Sequence, residues 1–190
     1  MISQLEAVNS MLTSIGSAPV NTITGQVSAD VATAKSILEE VRKDVLLQGW
    51  TFNRETRVSL SPGGDGRIAT PLGTLRIDNA FGATSSVDLV QRGNYLFDRA
   101  ANSYTFTAAI SVDRTVDLGW DLLPEVARAH IAARASAEFV ARMDAGQERY
   151  QYASQRALAT LVSLRQEETD VGDYTIFDNE TAHNILRRGI

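Results

Sequence analysis

Residues Leu123–Met143, LPEVARAHIAARASAEFVARM, read as a helix at every level. Pro124 suits a first helical position, where its missing N–H is not needed and its φ is already helical. The acid at Glu125 meets the positive end of the helix dipole. Ala127, Ala129, Ala132, Ala133, Ala135, Ala137 and Ala141 follow, and alanine is the strongest helix former. Ala127, Ile131, Ala135 and Phe139 share one face; Val126, Ala129, Ala133, Ala137 and Val140 share the adjoining one. The result is a wide apolar sector made largely of methyl groups, which other backbones can approach closely. Two uses fit it: the core of a bundle within one chain, or subunit packing centred on Ala129, Ala133 and Ala137. Arg128, Arg134, Glu138 and Arg142 space the polar edge, with Arg134 and Glu138 placed for an i,i+4 ion pair.

Working outward, Asp144-Ala-Gly146 breaks this helix and another follows from about Gln147 to Glu167, with Tyr150, Ala153, Ala157, Leu161 and Leu164 at spacings of three and four. So short a connection sets the two helices side by side and antiparallel. Toward the N-terminus, Ile2, Leu5, Val8, Leu12 and Ile15 mark a first amphipathic helix, stopped by Gly16 and Pro19. Ser28 offers an N-cap for a second, on which Val31, Ala34, Leu38, Val41 and Val45 share a face, ending near Gly49. Glu39 and Lys43 are spaced to pair across one exposed turn of it.

Between these helical segments the period changes. Trp50, Phe52, Val58 and Leu60 alternate with polar residues, as in a half-buried strand. Further strands are expected at Thr74–Asp78, Val87–Arg92, Tyr95–Asp98, Ser103–Thr107 and Ile110–Leu118. Gly93-Asn94 is a two-residue hairpin signal, and Ser61–Gly66 a glycine-rich loop. The expected fold is therefore α+β: an antiparallel helical bundle (1–49 and 120–167) with an inserted antiparallel β-rich domain (50–119) and an extended C-terminal arm (168–190).

Composition excludes several kinds of function. The chain has no cysteine, so no disulfide, thiolate metal site or thiol nucleophile, and a net charge of −5 opposes a general affinity for nucleic acid. No apolar run approaches the ~20 residues of a membrane-spanning helix, and MISQLEAVNSML lacks the pattern of a secretory signal. A soluble, non-redox protein with no membrane partner is expected.

The candidate chemical motifs are weak. Ser61–Gly66 lacks the Gly-Lys-Ser/Thr ending of a phosphate loop and leads through Arg67 toward a strand instead of a helix. Asp113, Asp117 and Asp121 recur every fourth residue, but on a strand that spacing sets them ~13 Å apart, too far for one ion. His130 has no His or Glu four residues on, and no serine sits in a nucleophile elbow. No catalytic, cofactor-binding or metal-ligating residue is nominated. The C-terminal run is mixed: Glu167, Glu168, Asp170, Asp173, Asp178 and Glu180 are acids with no base among them, and Tyr174, Ile176, Phe177, Ile185 and Leu186 are bulky apolar residues in the same segment. Such a segment either orders on a partner or folds back on its own bundle.

Four stretches carry a resemblance: Ala29-Asp-Val-Ala-Thr-Ala-Lys with Gln48-Gly-Trp-Thr-Phe-Asn53; Arg92-Gly-Asn-Tyr-Leu-Phe-Asp-Arg99; Leu123-Pro-Glu-Val with Ala135-Ser-Ala-Glu-Phe139; and Glu167–Asp178. In that order they resemble the tail tubular protein A family of T7-like short-tailed bacteriophages, over nearly the whole chain. The resemblance implies a structural virion protein: an adaptor (gatekeeper) forming a dodecameric ring between the portal protein and the tail nozzle (tail tubular protein B), with tail fibre contacts and genomic DNA passing through without sequence-specific binding. It implies portal docking by the arm, through Tyr174, Ile176, Phe177, Ile185 and Leu186, and a nozzle or fibre side near Gly63, Gly64, Asp65, Gly93 and Asn94. It implies no enzyme and no cofactor. The rivals are a virion-associated glycan hydrolase, which needs two carboxylates at a fixed spacing that nothing here nominates, and a free-standing soluble interaction module.

Overall fold

The computed structural model describes residues 1–80 and 87–172. The protein is α+β, and among the described residues there are four α-helices: α1 (Gln4–Ser14), α2 (Ala29–Leu46), α3 (Glu125–Arg142) and α4 (Gln147–Gly172). α1 opens on a capping box that the sequence spells as Ser3-Gln-Leu-Glu6. The Glu6 N–H donates to the Ser3 hydroxyl at 3.2 Å and the Ser3 N–H to the Glu6 carboxylate at 2.7 Å. The Ser3 bonds, backbone first, hold the Glu6 carboxyl below its usual range. Ser28 caps α2 by accepting from the Val31 N–H, as expected. Pro124 sits at the N-cap, one position before the first helical residue.

α3 lies at the centre. Ala127, Ile131, Ala135 and Phe139 are fully buried in one core with Val8 and Leu12 of α1 and Val31, Leu38, Val41 and Val45 of α2. Its adjoining face meets α4, where Ala137 and Val140 pack on Ala153. His130 lies 3.3 Å from the Thr160 hydroxyl, so numbers fall along α4 as they rise along α3 and the pair is antiparallel. Alanine on both helices lets the two backbones approach closely.

The strands are β1 (Arg54–Leu60), β2 (Thr74–Asn79), β3 (Leu89–Arg92), β4 (Tyr95–Asp98) and β5 (Ile110–Val116). β1, β5 and β2 form an antiparallel sheet with β5 in the middle; β3 and β4 form a separate antiparallel ribbon. Ile68, Ile77, Leu96, Phe106, Ile110 and Val112 make a second core, with no member in common with the helical one. A bulge in β1 between Glu55 and Val58 puts Arg57 at φ +56°, its N–H donating to Asp113 at 2.8 Å.

Two short connections join the cores. Gly49 turns the chain at φ +75°, and a Cβ there would come within 3.1 Å of the Thr115 hydroxyl. Trp50 donates its indole N–H to the Val45 carbonyl at 2.7 Å. The Asn53 amide donates to the Leu46 and Val116 carbonyls at 2.9 and 3.0 Å and accepts from the Trp50 N–H at 2.8 Å. The Gly-Trp-Thr-Phe-Asn stretch is thus the hinge plate between helices and strands. On the return, Arg42 of α2 is buried and holds Asp117 and the Leu118 carbonyl, with Glu39 at 2.9 Å on its other side. Arg128, also buried, donates to the carbonyls of Leu123, Asp121 and Ile2, and the Trp120 indole donates to the same Ile2 carbonyl.

Several expectations are corrected. Trp50 and Phe52 do not alternate on a strand: Thr51–Asn53 is a 3₁₀ turn, and the two rings stack 6.5 Å apart against the helical core. Ser103–Thr107 forms no strand because its backbone switches partners, from Asp98 at Ser103 to Gly66 at Phe106, before a ladder can propagate. Arg134 pairs with Asp44 of α2 instead of with Glu138, which pairs with Arg142 one turn further along α3; Arg142 also reaches Glu40, so the α3 edge is tied to α2 at two points. Glu39 bonds Arg42 and Gln4, not Lys43. α4 runs on to Gly172, through 168–172 of the expected arm. Tyr174, Ile176, Phe177, Ile185 and Leu186 lie outside the described residues.

Candidate interaction site

The β3–β4 ribbon has two unlike faces. Pairing sets Leu89 opposite Asp98 and Gln91 opposite Leu96 on one, and Val90 opposite Phe97 and Arg92 opposite Tyr95 on the other. Leu89 and Leu96 turn into the second core. The opposite face carries a chain of stacked groups. The Arg92 guanidinium lies 3.6 Å above the Phe97 ring, and Phe97 meets Tyr104 edge-on at 4.8 Å. The Arg67 guanidinium lies 5.6 Å from the Tyr95 ring and 5.8 Å from that of Tyr104. Phe97 is buried beneath this layer, while Tyr95 and Tyr104 remain 38% and 37% exposed.

Turn chemistry positions it. Gly93 adopts φ +62°, the left-handed value that the first central position of a tight hairpin turn requires, and this places Arg92 and Tyr95 side by side. Arg67 is aimed by its own loop: the Gly63 N–H donates to the Arg67 carbonyl at 2.8 Å, and Asp65 accepts from the Arg67 N–H at 3.1 Å. Gly66, at φ +75°, passes so close to Thr105 that a Cβ would sit 2.8 Å from its methyl. Asp98, buried on the core side, accepts from the backbone of Asp88, Ala100 and Ala101 and fixes the ribbon's open end.

The five loop residues singled out in the sequence do not meet. Gly66 bonds to Phe106, Ile68 to Leu96, and Thr70 to Asn94, so 66–70 runs as an extended spacer. Gly63, Gly64 and Asp65 therefore sit at one end and Gly93 and Asn94 at the other, roughly 13 Å of extended backbone apart. What joins them is the stack. Its members, Arg67, Arg92, Tyr95, Phe97 and Tyr104, went unnoticed in the sequence because they come from three segments with no shared spacing.

On the helical side, Ala129 is half-buried, Ala133 is buried, and Ala137 packs on Ala153. Ala133 also floors an open groove of about 580 Å³ between α1, α3 and α4, walled by Ser10, Thr13, Ser136, Arg149 and Arg156. The Thr13 and Ser136 hydroxyls donate to carbonyls of their own helices and not to a base that would activate them as nucleophiles. Along α4, Tyr152, Leu158 and Val162 remain exposed.

The ionisable groups are used structurally. Burial opposes the Arg42 charge, yet its bonds to Asp117 and Glu39 hold its pKa above the ordinary value. Burial pushes the His130 imidazole below its usual range, with the Arg134 and Arg165 fields acting the same way against a bond that the ring donates to the Ala157 backbone. Asp113 serves the β1 bulge and Asp117 serves Arg42. Among the described residues no three His, Asp or Glu side chains are grouped to hold a metal.

The fold is that of an α+β protein with a helical core and a separate β core. The chain belongs to the tail tubular protein family, whose model matches residues 5–174. It is thus a structural component of a bacteriophage tail. No curated protein matches it. Among the described residues no helix is long and apolar enough to cross a membrane.

Proposed function

We propose that this chain is the head-to-tail adaptor, or gatekeeper, of a T7-like short-tailed bacteriophage. It forms a dodecameric ring at the head–tail junction, assembled in the host cytoplasm, that joins the portal protein to the tail nozzle (tail tubular protein B), meets the tail fibre protein, and lines part of the conduit for DNA ejection. It makes and breaks no bonds and holds no cofactor. The observation that carries this reading is the family match over 5–174, reinforced by a helical core and a β core that share no residue.

Within it, 1–49 and 120–167 form the ring body, 50–119 the outgrowth toward nozzle and fibre, and 168–190 the arm that reaches the portal. Tyr174, Ile176, Phe177, Ile185 and Leu186 dock the arm. Gly63, Gly64, Asp65, Gly93 and Asn94 lie on the nozzle and fibre side. Ala129, half-buried, and Ala133, on an open groove, give a neighbouring backbone room to approach, while Ala137 acts through the α4 segment that covers it. A net charge of −5 suits passage of a duplex, since a basic lining would retain it.

Electron microscopy of the purified chain, alone and mixed with portal, tests the reading: a ring seated on the portal exit is expected. A chain that ignores the portal, or a monomer that turns over a substrate through defined side chains, overturns it. Truncation after Gly172 tests the arm. Glu168 is kept because its carboxylate accepts from the Thr51 N–H at 2.7 Å. The truncated chain is expected to fold normally and lose portal binding; undiminished binding removes the arm from the mechanism.

A further inference from the structure

We propose that Arg67, Arg92, Tyr95 and Tyr104 form a platform that binds a carboxylate-bearing segment of a partner protein. The proposal deepens the reading of the β-rich region as a partner-facing surface and rests on it. Both guanidinium groups are held against aromatic rings, Arg92 at 3.6 Å from Phe97 and Arg67 at 5.6 and 5.8 Å from Tyr95 and Tyr104. A guanidinium ordered in this way loses less freedom when it accepts a partner, and its in-plane N–H fork matches a carboxylate bidentately. Neither is neutralised within the fold. Among the described residues Arg92 enters no ion pair, and Arg67 has only Asp65, at 3.9 Å and with both side chains more than half exposed. Nearby Arg99 differs in being closed on Asp88 at 2.7 Å.

The same geometry selects among anionic and ring-stacking partners. Arg92 takes one face of the buried Phe97 ring, and Arg67 stands over Tyr95 and Tyr104, so a sugar ring or a nucleobase has less ring surface to stack on. A duplex backbone needs a longer basic stripe than two arginines bordered by Asp65 and Asp88, on a chain of charge −5. One or two carboxylates beside half-exposed tyrosines match this surface, and tyrosine and arginine are the residues that dominate protein-interface energetics.

The test is fluorescence anisotropy of a labelled Glu/Asp-rich peptide of about twelve residues, titrated with the full chain at low and moderate salt, with a duplex DNA of about twenty base pairs and a sulfated oligosaccharide as comparators. The peptide is expected to bind more weakly as salt rises. R67Q/R92Q is expected to lose tenfold or more of that binding with an unchanged melting temperature. R67K/R92K, which keeps charge but not the flat fork, is expected to recover only part of it. No peptide binding by the unmodified chain, equal binding by R67Q/R92Q, or a loss confined to the duplex or the oligosaccharide overturns the proposal. Ring formation and portal binding are scored separately on the same variants. If they persist and the nozzle is still held while peptide binding is lost, the platform stands and the placement of the nozzle contact falls.

Discussion

The side-chain amide of Asn53 donates to the carbonyl of Val116 at 3.0 Å, bridging the residue that opens the β-rich segment to the one that closes it. The same amide nitrogen reaches Leu46 at the end of α2, and its oxygen receives the Trp50 N–H. Asn53 is 2% exposed, so its own amide has no water as an alternative. Asn53→Ala is expected to destabilise the chain by about 1–3 kcal/mol, because it leaves the Trp50 N–H without its acceptor and takes a donor from the Leu46 and Val116 carbonyls, the first of which keeps the Gly49 N–H. Asn53→Asp keeps the acceptor but loses both donors, and its loss should be similar. Urea denaturation of the two variants checks this; a loss near zero would remove Asn53 from the joint.

His130 sets a pH dependence. Its folded pKa lies below the unfolded value near 6.5, so on acidification the unfolded chain takes up the proton first. The stability from keeping it neutral is fully present above about pH 6.5 and is lost as pH falls from there toward the folded value. Melting temperatures across pH 5 to 8 should show this decline, and His130→Gln should remove that part of it. A slope unchanged by the substitution would assign it to other groups.

The α3–α4 seam tolerates little added volume. Ala153 is 6% exposed and packs on Ala137 and Val140. Ala153→Leu must push the helices apart or take a poor rotamer, and is expected to cost about 1–3 kcal/mol. Ala159→Leu, on the exposed side of α4, is the control and should change stability by less than about 0.5 kcal/mol.

Glu168 fastens the far end of α4 to the root of the β-rich segment through the Thr51 N–H and hydroxyl. Glu168→Ala is expected to cost about 1 kcal/mol overall, but to raise amide exchange selectively at Thr51 and along the last turns of α4. Exchange that rises evenly through the chain would mean that the bond carries no local load.

Much of the fold was legible because one signal dominated each element. α2 and α3 carried periodicity, propensity and caps that agreed, and Gly93-Asn94 named its hairpin. The capping box at Ser3 and Glu6 is equally plain in spacing, its two residues interleaved with Ile2, Leu5 and Val8 of the apolar pattern. Charge misled in the other direction. Arg42 and Arg128 look like surface residues in any linear reading, but both are buried because backbone carbonyls and distant acids converge on them from segments up to 126 residues away. Glu39 and Glu138 do pair at helix-surface spacings, but with Arg42 and Arg142 and not with the partners expected, while Arg134 turns to Asp44 on the neighbouring helix. The aromatic–arginine stack was invisible because 67, 92–97 and 104 become neighbours only once the ribbon folds over.

The polypeptide leaves the helices at Gly49 and re-enters them at Trp120, and Asn53 and Arg42 pin those two crossings to the same end of α2. A loop whose ends are held together closes at little cost in entropy whatever its length. Through one such doorway a lineage can trade the entire outgrowth for another, adopting new neighbours at the distal side while every helix–helix contact behind the threshold is inherited unchanged.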